Sequence, residues 1–184
     1  MRTLMLGLAA TLALAASANA TTYVGARTVG AATVDFTIVT DDTLGVLGED
    51  NIVDWKVVVK NNGETATFGG PDSGDDSKVD IFGSAFTATT SGLYFDFSAP
   101  GVNYVAFVSD FRQSWCLQTN SCFDQNGPEE IAVAGAFVTN FDRAPRSGLQ
   151  QLAGVPEPAT WAMMLIGFAG VGGAMRSRRP VLAG

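Results

Sequence analysis

The chain of 184 residues contains no histidine. That removes the commonest general base, the commonest zinc ligand and every Ser-His-Asp or Cys-His arrangement. Cysteine is nearly absent too: Cys116 and Cys122, in WCLQTNSCF, are the only two. They show neither C-x-x-C spacing nor a histidine partner, so a redox or metal-binding pair is the weaker reading and a structural disulfide is expected. Basic residues are scarce between the two ends: residues 21–154 hold 17 acidic against 7 basic side chains, a balance of −10. Such a body is a poor match for nucleic acid or anionic lipid. It shows no sustained 3.6-residue period and no repeat of 20 to 50 residues, which argues against a helical bundle and a solenoid. Catalysis by carboxylates alone, as in glycosidases, needs a positioned pair, and no spacing marks one. No enzyme activity and no cofactor are expected.

Long apolar runs occur only at the two ends. Residues 1–20 read MRTLMLGLAATLALAASANA. Arg2 gives a minimal positive start, residues 4–16 an apolar stretch, and Ala18-Asn19-Ala20 an A-x-A cleavage site, so this segment reads as a secretory signal peptide. Residues 155–184 read VPEPATWAMMLIGFAGVGGAMRSRRPVLAG. No charge falls between residues 159 and 175, and as a helix that stretch is ~26 Å long, slightly short of a ~30 Å hydrocarbon core. Trp161 suits the headgroup layer, and Arg176, Arg178 and Arg179 would hold the far end in the cytoplasm. Pro156 and Pro158 keep Val-Pro-Glu-Pro stiff and extended, with Glu157 as its one carboxylate. A buried core helix does not fit glycines followed by arginines. A plain uncleaved anchor does fit, and stays open.

The order Pro-Glu-Pro, apolar segment, arginine cluster resembles the PEP-CTERM sorting signal of Gram-negative bacteria, and Trp161-Ala162 matches the PEPxxWA variant. The resemblance implies that a membrane-embedded cysteine transpeptidase, exosortase, reads Pro156, Glu157, Pro158, Trp161 and Ala162 and removes the tail. It also implies an exported protein, held on the periplasmic side of the inner membrane before processing and then at the cell surface or outside, in bacteria that make exopolysaccharide. Tails of this kind also bear an ice-binding name. The body lacks the regular Thr-x-Thr arrays of a lattice-matching face, and that activity is not expected.

The body alternates as β-strands do. Val34, Phe36 and Ile38 interleave with polar residues, as do Trp55, Val57 and Val59 before an Asn61-Asn62-Gly63-Glu64 turn. Leu93, Phe95 and Phe97 alternate likewise, Ala99-Pro100-Gly101 breaks the chain, and residues 104–108 follow. Ile131, Val133, Phe137 and Phe141 form a late run, and shorter β-prone pieces lie at 23–29, 65–68, 78–82 and 85–89. Nine or so short strands between Gly, Asn, Asp and Pro clusters predict an all-β fold, an antiparallel β-sandwich (jelly-roll-like). The expected division is a signal helix at 1–20, the sandwich at 21–142, a linker at 143–154, and the sorting signal with a single transmembrane helix at 155–180.

Three features of the body invite a sharper reading. TDDTLGVLGEDN at 40–51, followed by Asp54-Trp55, resembles text in β-rich bodies of other PEP-CTERM proteins, to which no activity attaches. The acidic loop GPDSGDDS at 70–77 offers Asp72, Asp75 and Asp76, with Asp80 nearby, as weak calcium candidates, but the EF-hand pattern is not met. Tyr23, Tyr94 and Tyr104 are candidates for a sugar-stacking platform, although strand aromatics are more often core. Two functions follow: an exported, non-enzymatic surface or matrix protein sorted through its tail, or a secreted carbohydrate- or calcium-binding module.

Overall fold

The computed structural model describes residues 20–75, 77–110, 113–122, 127–135 and 141–154. The expected signal helix and transmembrane helix lie outside these residues. Among the described residues no helix is long and apolar enough to cross a membrane.

Among the described residues, thirteen strands form two antiparallel sheets. The larger holds β1 (Thr21–Val29), β2 (Ala32–Thr40), β3 (Gly45–Val46), β4 (Ile52–Asn61), β5 (Glu64–Gly69), β7 (Phe86–Thr89), β8 (Gly92–Asp96) and β13 (Leu149–Gly154). Its order is β3-β7-β8-β13-β1-β2-β4-β5. The smaller holds β6 (Lys78–Phe82), β9 (Tyr104–Asp110), β10 (Gln113–Gln118), β11 (Glu129–Ala134) and β12 (Phe141–Pro145), in the order β12-β11-β10-β9-β6. Two 3-10 turns, Glu49–Asn51 and Pro71–Ser73, are the only helical pieces among the described residues. The structure is thus the expected all-β arrangement of two antiparallel sheets, lopsided with eight strands against five, where the sequence predicts nine or so strands.

The strands form where the two-residue period is cleanest. In β2 the burial alternates from Ala32 to Thr40, with Val34, Phe36 and Ile38 inward. β4 pairs with it in the same phase, so Trp55, Val57 and Val59 join the core. The β4–β5 hairpin turns on Asn62 and Gly63, both at positive φ, the geometry of a tight two-residue turn. A chain of rings then crosses the sandwich. Phe36 stacks on Trp115 at 4.6 Å, Trp115 on Phe107 at 5.5 Å, and Phe107 meets Trp55 at 5.0 Å. Each such pair contributes about 0.5–1.5 kcal/mol beyond its buried area. Gly25 makes room for the stack. A Cβ there would sit 2.4 Å from the Phe36 ring and 2.7 Å from the Leu152 carbonyl oxygen.

Two expectations are corrected here. The late run is not one strand: β11 ends at Ala134, Gly135 takes φ +95°, and Phe141 opens β12, while Phe137 lies outside the described residues. More consequentially, residues 143–154 are not a linker. Arg143 to Pro145 finish β12, and β13 lies inside the larger sheet between β8 and β1. Its Leu152 and Ala153 belong to the core.

Candidate functional site

The two ends of the body meet at one end of the larger sheet. β1 begins at Thr21, directly after Ala20 of the expected cleavage site, while Ala18 lies outside the described residues. β13 ends at Gly154, whose register partners are Gly92 of β8 and Val24 of β1. Because β1 and β13 run antiparallel, the end of β13 points toward the start of β1. With strands ~4.8 Å apart and ~3.3 Å per residue, Thr21 and Gly154 are about 11 Å apart. The 40–52 connection and the turn between β7 and β8 lie at the same end, since Thr21 pairs with Thr40 and Thr89 with Gly92.

This end is closed by its own hydrogen bonds. Asp41 accepts from the Thr43 backbone N–H at 3.1 Å and from Asn51 Nδ2 at 3.2 Å, and Asn51 Oδ1 accepts from Gly48 N–H at 2.9 Å. Those bonds to Thr43 and Asn51 hold the Asp41 carboxyl below its ordinary range. Thr21 Oγ1 donates to Asp42 Oδ1. The segment at 40–51 is thus a self-capped loop. Asp54 of the Asp-Trp pair accepts from Ser73 N–H at 3.2 Å and Ser73 Oγ at 2.8 Å, pinning the acidic loop, while Trp55 packs in the core. A shallow cavity of about 300 Å³ at this end is lined by Thr21, Tyr23, Asp42, Leu44, Thr89 and Thr90.

Toward the opposite end of β1 and β13 lies a buried ionic cluster that the sequence did not reveal. The Glu130 side chain is fully buried between the sheets. Its Oε2 accepts from Arg27 at 2.8 Å and from Arg146 Nε at 2.9 Å, and its Oε1 from Trp115 Nε1 at 2.9 Å. Arg27 also donates to Gln150 of β13 at 2.8 Å, and Arg146 to the Thr28 carbonyl. One carboxylate thereby ties β11, β10 and β1 to the segment that carries β13. The two distant arginines, with the Trp115 N–H, make the burial of this carboxylate tolerable.

The remaining candidates scatter. Cys116 and Cys122 are joined by a disulfide. Cys116 packs with Ala106, Ile131 and Val133 on the outer face of the smaller sheet. Asp72 is exposed in a 3-10 turn, Asp75 is half-buried nearby, and Asp76 lies outside the described residues. Among the described residues no three acidic or cysteine groups come together as metal ligands do. The tyrosines form no platform. Tyr23 is 1% exposed in the core, Tyr94 lies on β8 of the larger sheet, and Tyr104 lies on β9 of the smaller one. Tyr104 instead stacks on Phe82, its cross-strand neighbour, at 5.9 Å, with its hydroxyl 3.3 Å from both Asp80 oxygens. Burial and the Asp80 charge push that hydroxyl above its usual range. Pro156, Glu157, Pro158, Trp161, Ala162, Arg176, Arg178 and Arg179 all lie outside the described residues.

A closed β-sandwich whose last strand runs straight into a Pro-Glu-Pro segment is a folded cargo with a terminal label. That label is identified: residues 154–179 match the family model of the PEP-CTERM protein-sorting motif. The motif marks an exported protein of Gram-negative bacteria and implies an exosortase as its processing partner. No curated protein and no solved structure matches the chain.

Proposed function

We propose that the chain is a non-enzymatic surface or extracellular-matrix protein, anchored in the inner membrane by residues 155–180 until an exosortase-like transpeptidase removes or transfers that tail. The observation that carries this reading is the sorting motif at 154–179, set at the end of a folded body. The uses found for the acidic side chains support a scaffold: Asp41 and Asp54 hold loops, and Glu130 holds strands. In the producing organism, with and without its exosortase, the mass of the mature C-terminus tests the proposal. Loss of Arg176, Arg178 and Arg179 only when the enzyme is present, blocked by Glu157→Ala, is the expected result. A tail that stays intact in both strains would overturn it.

The second reading, a carbohydrate-binding module, draws support from one observation. Phe82 is 56% exposed and stacked beside Tyr104, with Asp80 at hand to accept from sugar hydroxyls. Titration of the producer's own polysaccharide, and of calcium, into the exported chain separates the two readings. Heat that vanishes in Phe82→Ala would favour the module, and none in either titration leaves the scaffold.

A further inference from the structure

The sorting motif begins on the last residue of a strand held inside a sheet, so body and label have no spacer between them. Glu157 lies three residues beyond Gly154, a reach of at most about 10–11 Å even when fully extended. An enzyme that takes Glu157 into its active site must therefore touch the end of the sheet at which Gly154 lies. We infer that this end is a docking surface for the processing transpeptidase, and that the body takes part in its own recognition. The inference rests on the sorting reading above.

The surface has the make-up of a protein contact. Val24, the register partner of Gly154, is 55% exposed, and Leu44, on the rim of the cavity, is 56% exposed. Two large apolar side chains left in water at this end of the sheet are what a protein partner covers. Thr21, Thr89 and Thr90 supply hydroxyls around Leu44, while Val24 lines a separate hollow with Ala26, Asp35 and Lys56. Asp42 is the one charged group among the described lining residues of the cavity. A negative charge there suits a protein partner better than the anionic headgroups of the surrounding bilayer. The first residue of β1, Thr21, contributes to the cavity through its pairing with Thr40.

The test compares rates of tail removal in the exosortase-bearing strain, using the full chain, Val24→Arg, Leu44→Arg and, at the opposite end of β13, Leu149→Arg. Each wild-type side chain is exposed, so the fold survives all three changes, and equal melting temperatures check this. Val24→Arg and Leu44→Arg are expected to slow processing about tenfold, the loss of one modest contact. Leu149→Arg should match the wild type. A spacer of about 12 Gly/Ser residues after Gly154, spanning roughly 17–21 Å, should erase the difference. Arginine would strengthen attraction to anionic lipid, so slowing by Leu44→Arg separates an enzyme contact from a membrane contact. Wild-type rates in both pole variants, equal slowing by Leu149→Arg, or slowing that persists with the spacer would each overturn the inference. Processing of the unmodified chain reads the sorting function independently.

Discussion

Strands β2 and β13 lie two positions apart in one sheet, with β1 between them, yet they are held by different means. β2 (ATVDFTIVT) is rich in β-branched residues and pairs along its whole length with β1 and β4. β13 (LQQLAG) has no β-branched residue, bulges against β8, and shares a single ladder pair, Val24 with Gly154, with β1. What β13 lacks in pairing is supplied from the side. Leu152 and Ala153 enter the core, and Gln150 is gripped by Arg27, itself fixed by Glu130. The difference shows two routes to a strand, one through local pattern and one through contacts that exist only once the rest has folded.

That contrast can be broken at its strongest point. Glu130→Gln leaves two arginines without their buried counter-charge and should destabilise the body by about 3–5 kcal/mol. Thermal unfolding of the exported protein would then fall by about 10–15 °C. Amide exchange should rise in β13 more than in β2, and equal loosening of both strands would contradict the latch. Leu152→Ala, which opens a hole under β13, should cost about 2–5 kcal/mol by denaturant titration. The same truncation at Phe36 should cost about 3–5 kcal/mol because it also removes the stack on Trp115. Reducing the Cys116–Cys122 bond closes off neither strand, and its short loop makes it worth about 2 kcal/mol in the chain-entropy account. It should lower the melting point without changing which strand exchanges first.

The smallest effect concerns the end of β2. Asp41 has a lowered pKa in the folded protein, so its contribution is complete above its unfolded value of 3.8 and is lost as pH falls through the folded one. Asp41→Asn should therefore lower the melting temperature slightly at neutral pH and flatten its decline between about pH 4 and 2, the two proteins converging at acid pH. An unchanged acid limb would show that another carboxyl governs it.

Most of the larger sheet was legible because β1, β2, β4 and β8 bury one face and alternate accordingly. β10 and β11 were harder, since from Ser114 and from Glu129 onward they are buried on both faces and lose the two-residue signal. β13 was read as a linker because glutamines and glycine describe its side chains and not its neighbours. The sorting motif was legible in full, because a partner reads it as linear text. The surface at the Gly154 end of the sheet was not, since Val24 and Gly154 become neighbours only through sheet pairing, and Leu44 and Thr89 only through the fold.

The nearness of Thr21 and Gly154 has a use beyond sorting. Chain ends on neighbouring strands can be joined by a short bridge and new ends opened elsewhere without changing the core. The exposed turn around Ser98 and Gly101, at the far end of β8, is a suitable place to open them. A circularly permuted body of this kind would carry the same label, letter for letter, on the opposite face of the molecule.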